Sequence, residues 1–146
     1  MDKEHSAPEQ RKVSYRRWAA RLLIGLVLAW NVQCAILFLW SPQAFAPGFE
    51  LSGATGEGML RGIGILFLMW NVPYAVALLN PSRYRVSLYE AIAMQSIGLL
   101  GESALLLTLP AGHMALHSSV LRFITYDGIG LAALILAAWI TRSKEN

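Results

Sequence analysis

Hydrophobic residues gather into four long stretches, 22–40, 58–79, 86–109 and 119–140, separated by segments rich in polar, proline and glycine residues. Each stretch is close to the roughly 20 residues that carry a helix across a bilayer core of about 30 Å. The pattern predicts an all-α fold: an integral membrane, antiparallel four-helix bundle. A basic arm over 1–21 precedes it, ending in the interfacial segment Tyr15-Arg16-Arg17-Trp18, and a charged tail over 141–146 follows. The connector 41–57 holds two prolines and three glycines, which argue against a long regular element. It is either a lid or a plain connector, and Phe45, Phe49 and Leu51 are apolar enough to lie in the interface. Pro73 lacks an N–H and predicts a kink in the second helix, freeing the carbonyl near Met69 for Asn71. Residues 80–85 make a tight turn, and 110–118 link the third and fourth helices.

The third stretch departs from the others. Glu90, Gln95 and Glu102 interrupt it, and Ala91, Gln95, Gly98 and Glu102 recur at i, i+4, i+7 and i+11. At 3.6 residues per turn these share one stripe, which wants protein or water against it rather than lipid. Glu90 lies near the end of its helix and is paired most simply with Arg83 or Arg85. Gly98, Gly101, Gly128 and Gly130 are expected to let the third and fourth helices approach closely.

Composition agrees with a membrane protein. Of 146 residues, 55% are hydrophobic and 14% charged, and the mean hydropathy is +0.46. Lys and Arg crowd the first arm, the 80–85 turn and the tail, and are absent from 41–57 and 110–118. This asymmetry predicts both termini in the cytoplasm, in a multi-pass protein of the cell membrane. The formal charge of +3 sits at helix ends and forms no nucleic-acid patch. A first helix with Asn31 and Gln33 in a long apolar core is expected to be a retained span, not a signal peptide, despite Ala44-Phe45-Ala46. Cys34 is the only cysteine, which excludes an intrachain disulfide and assigns it to packing.

Four charges fall in the outer half of the bundle. Measured along the helices from the outer boundary, Arg61 and Arg122 lie about 5 Å deep, Glu102 about 10 Å and Asp127 about 12 Å. Two roles are open for them. They form either an ion-pair network that fixes helix neighbours, or a polar cavity open to the outer side that handles a proton or a ligand. Asn31, Asn71 and Gln95, near the midplane, are candidates for the same site, although interhelical hydrogen bonds account for them too. His113 and His117 stand i, i+4, but without a firm third ligand they specify no metal, and no cofactor is implied. Leu-x-Trp-Asn-Val-x-x-Ala occurs at 28–35 and again at 68–75, a match compatible with an inverted one-helix repeat or with chance.

Four short spans, cytoplasmic termini and the segment Arg61-Gly62-Ile63-Gly64-Ile65-Leu66 resemble the DoxX-like small membrane proteins. The resemblance implies a bacterial inner-membrane bundle, some of whose relatives accompany quinone-linked oxidoreductases. The chain lacks the acid in helix one of small multidrug transporters and the cysteine motifs of quinone-linked disulfide enzymes. No nucleophile–base pair, metal triad or phosphate loop is present in the sequence. The expectation is therefore an accessory subunit of a membrane complex, or a bundle binding a hydrophobic molecule such as a lipid or quinone. Membrane lipids and a partner chain or second copy are the expected company. The alternatives are a membrane enzyme using Glu102 and Asp127 as acid and base on a lipid-like substrate, and a proton-coupled small transporter.

Overall fold

The computed structural model describes the backbone of residues 7–142 and the side chains from Ser14 to Arg142; residues 1–6 of the expected arm and 143–146 of the tail lie outside. Among the described residues every regular element is helical: α1 (Ala7–Trp40), α2 (Pro42–Phe45), a 3-10 turn (Ala46–Phe49), α3 (Gly53–Trp70), α4 (Val72–Leu79), α5 (Arg85–Thr108) and α6 (Met114–Arg142). α1, α3 with α4, α5 and α6 make four rods long and apolar enough to cross a membrane.

Three helix starts differ from the sequence pattern. α1 begins at Ala7 and runs for 34 residues, about 50 Å, so the segment read as a solvated arm is helical from there. Pro8 stands in the first turn, where a missing N–H does no harm. α3 begins at Gly53 rather than 58. Gly56, which counts against a helix by propensity, is required by packing, because a Cβ there would lie 2.8 Å from the Cβ of Leu51. α6 begins at Met114 rather than 119. The predicted kink appears as a break between α3 and α4 at Asn71. Its Nδ2 donates to the Phe67 carbonyl at 2.6 Å, two residues before the expected Met69.

The rods are antiparallel. Gly25 meets Leu78 and Ala35 meets Gly64 across α1 and α3–α4. Gln95 meets Gly130, and Arg85 reaches the Thr141 carbonyl at 3.5 Å, across α5 and α6. α1 packs between α3–α4 and α6, and α5 closes the ring through α6 and α4. α5 hardly touches α3, so the two helices part beyond the Asn71 break.

Two apolar layers fill the interior. Toward the end that carries the termini, Ala20, Ile24, Val27, Tyr74, Ala77, Leu88, Ala91, Leu134 and Ala137 form a core whose alanines let the helices approach closely. Toward the loop end, Phe38 is ringed by Phe45, Phe49, Phe67 and Phe123, with centroids 5.5–6.4 Å away. All five phenylalanines of the chain meet in this cluster. Phe45, Phe49 and Leu51 are half-buried and pack against the bundle end. The 41–52 segment is a plug. Large apolar side chains such as Leu22, Trp40, Ile97, Leu100 and Leu107 point outward around the rods.

Candidate functional site

Between the alanine layer and the phenylalanine plug lies a polar layer. The α5 stripe anticipated from spacing faces inward, with Ala91 and Gln95 buried and Glu102 half-buried. Gln95 lies at its centre. Its carbonyl oxygen accepts from the Tyr74 hydroxyl at 2.6 Å, and its Nε2 donates to Asp127 Oδ1 at 2.8 Å. Both bonds cross between helices, tying α4 to α5 and α5 to α6. Every donor points toward Asp127, so the chain Tyr74–Gln95–Asp127 stabilises electron density on that carboxyl. Tyr74 was not among the sequence candidates. Its place on the face shared by Asn71 and Ala77 is the one signal that marks it.

Glu102 is different. Its Oε2 is enclosed and, among the described residues, has no hydrogen-bond partner. One turn earlier on the same stripe, Gly98 lies directly against Asp127 Oδ2. The two carboxyl groups thus neighbour each other, one satisfied by an amide and one not.

The two arginines expected beside these acids are elsewhere. Arg61 pairs with Glu57 on its own helix, N···O 3.5 Å, with its side chain 49% exposed. Such an i, i+4 pair contributes about 0.3–0.5 kcal/mol. Arg122 is exposed and donates to Ser119 Oγ at 3.0 Å, while the Ser119 hydroxyl donates to the Gly48 carbonyl at 2.6 Å. Arg122 thereby pins the plug. Among the described residues no ion pair joins Arg61 or Arg122 to Glu102 or Asp127. The four-charge network is replaced by two acids without a cation, because both guanidinium groups find partners nearer their own backbone. The cavity open to the outer side is corrected as well. Phe67 and Phe123 stand one turn beyond Asn71 and Asp127, and the plug covers the layer from the loop end.

The remaining candidates separate. Asn71 is buried and its Oδ1 is enclosed without a partner, while Asn31 is half-buried on α1. Glu90 is exposed, and Arg85 reaches toward the Thr141 carbonyl. Gly98 and Gly130 do bring α5 and α6 together, whereas a Cβ at Gly101 or Gly128 would meet nothing. Cys34 packs against the plug. His113 Nδ1 contacts Glu50 Oε2 at 2.5 Å, but His117 does not join them. Among the described residues no three His, Cys, Asp or Glu side chains are grouped for a metal ion. The His113 bond holds the Glu50 carboxyl below its ordinary 4.5, and the Leu116 N–H adds to the effect. In the Arg61–Leu66 segment, Gly64 packs against α1 and Gly62 faces open space.

Comparison of the chain with protein-family models, with curated proteins and with solved structures finds no match.

Proposed function

We propose that the protein is a multi-pass membrane bundle, with both termini in the cytoplasm, that binds the polar group of a hydrophobic molecule of lipid or quinone type at Glu102. The orientation rests on charge. Among the described residues, Arg16, Arg17, Arg21, Arg83, Arg85 and Arg142 belong to the end that carries the termini, and only Arg61 and Arg122 to the other half. The inner-membrane setting implied by the DoxX-like segment is compatible with that orientation.

One observation carries the ligand assignment: the enclosed, unpartnered Glu102 Oε2 beside an already satisfied Asp127. Buried polar atoms are nearly always hydrogen-bonded, so an acceptor left over in an apolar setting calls for a donor from outside the chain. A hydroxyl or N–H on the ligand supplies it. The phenylalanine plug leaves the direct route from the loop end closed, and the parting of α3 from α5 favours lateral access from the bilayer. A partner helix in a larger membrane complex presents the same chemistry when it carries the donor. Proton-coupled transport is the second reading, favoured by two neighbouring acids with no cation between them.

Gentle purification followed by mass spectrometry of retained molecules and co-purifying chains tests the assignment. A hydrophobic molecule or a stoichiometric partner is expected with the native chain that Glu102→Gln loses, whatever else both forms retain. A chain that retains neither, in both forms, contradicts it.

A further inference from the structure

A second polar feature lies at the other end of the bundle, more than two turns of α5 from the acids. Arg17 and Arg21 stand one turn apart on α1 and face the Asn80–Pro81 turn across a groove of about 470 Å³. The Arg21 guanidinium lies 4.7 Å over the Trp18 ring. That stack fixes the fork, and among the described residues the Arg21 Nε–H is enclosed without an acceptor. Among the described residues neither arginine has an acidic partner. Asn80 commits its Oδ1 to the Arg83 N–H at 3.2 Å, so its amide N–H groups are what remains for a ligand. Ser14 adds a hydroxyl at the rim. Among the described residues that line the groove there are several donors and no acidic side chain.

The same seam continues as an apolar groove of about 510 Å³, with Gly25, Leu28 and Val32 on one wall and Val72, Ala75 and Leu78 on the other. On α1 the positions follow in register, 17, 21, 25, 28 and 32, and on α4 they run back from Asn80 toward Val72. From Arg21 to Val32 the helix rises about 16 Å, close to half a hydrocarbon core. A phosphate-binding head joined to an apolar trough of one-leaflet depth has the shape of a phospholipid.

We infer that the α1–α4 seam binds one anionic phospholipid, its phosphate held by Arg17, Arg21 and Asn80 and one acyl chain lying along the trough over the Gly25–Leu78 contact, flanked by Leu28, Val32, Val72 and Ala75. Guanidinium groups suit phosphate oxygens because their N–H groups form a planar fork. The inference rests on the membrane placement proposed above and is independent of the Glu102 ligand.

The test uses the full chain in phosphatidylcholine nanodiscs containing a minor share of phosphatidylglycerol, with lipid retained after detergent release counted by native mass spectrometry. Phosphatidylglycerol should be enriched over phosphatidylcholine. Arg17→Gln and Arg21→Gln should each lower that enrichment about fivefold. Arg21→Lys should lower it too, since the charge stays but the fork and the Nε–H are lost. Arg142→Gln, which removes an equal charge at the same end, should leave it unchanged. Gly25→Leu should fill the trough and reduce lipid retention. Melting curves establish that each variant is folded, and the exposed Arg17 serves if Arg21→Gln does not fold. Equal losses with Arg142→Gln, or none with either groove arginine, overturn the site while leaving the membrane placement intact. Displacement of phosphatidylglycerol by millimolar inorganic phosphate, with Gly25→Leu silent, overturns the lipid in favour of a free anion. A chain that fails to enter the nanodiscs contradicts the placement itself.

Discussion

Gly98 and Asp127 face each other so closely that a Cβ at position 98 would lie well inside van der Waals contact with the Asp127 carboxyl. This approach sets the distance between α5 and α6 and brings Asp127 under the Gln95 amide. Gly98→Ala must displace the carboxyl, and Gly130→Ala must displace Gln95, whose Nε2 lies 2.9 Å from the added Cβ. Each should destabilise the bundle by about 1–3 kcal/mol. Gly101→Ala and Gly128→Ala should be neutral or slightly stabilising, since their added Cβ atoms meet nothing. Unfolding of the four variants in mixed detergent measures the contrast.

Removing the centre of the polar layer should hurt more than trimming its edge. Gln95→Leu strands both the Tyr74 hydroxyl and an Asp127 oxygen, a loss of about 2–4 kcal/mol. Tyr74→Phe removes one bond and leaves Gln95 with its Asp127 partner, a loss of about 1 kcal/mol. The same unfolding assay ranks them, and equal effects would show that Gln95 does not join the two bonds.

The four long apolar helices were legible in the sequence because length and apolar content set them, and these need no knowledge of partners. The inward stripe of α5 was legible for the same kind of reason, since Ala91, Gln95 and Glu102 share a face by spacing alone. What spacing could not tell was whom each side chain meets. Arg61 and Arg122 sit at depths that match the acids, yet Glu57 lies one turn away from one and Ser119 from the other. Local partners win because less side-chain freedom is lost in reaching them. The phenylalanine plug was hidden for a different reason. Its members come from α1, the 41–52 segment, α3 and α6, and no single stretch shows the cluster.

The contact between Glu50 and His113 fastens that plug to the start of α6, so it should loosen in acid. His113 holds the Glu50 carboxyl below its ordinary 4.5 in the folded chain. A depressed acid contributes stability that is present above the ordinary value and lost as pH falls through the folded one. Hydrogen exchange at the Leu116 amide, which donates to Glu50 Oε1 at 3.3 Å, should show relative loss of protection only below about pH 4.5. Glu50→Gln should remove that pH dependence.

Topology is tested by placing single cysteines at Ser52 and Ser82 in a Cys34→Ala background and adding an impermeant thiol reagent to intact cells. Ser52 precedes α3 and Ser82 lies in the turn before α5, at opposite ends of the second rod. Labelling of Ser52→Cys alone is expected. Labelling of both from the same side contradicts the orientation.

If Glu102 serves the proposed donor outside the chain, it does not neutralise an arginine within it. A double-mutant cycle between Glu102→Gln and Arg61→Gln, repeated with Arg122→Gln, measures this directly as unfolding free energy in detergent. Glu102→Gln is then expected to be as stable as the native chain or more so, with a coupling to either arginine below about 0.5 kcal/mol. A loss of about 3–5 kcal/mol, largely recovered when either arginine is removed as well, would contradict it.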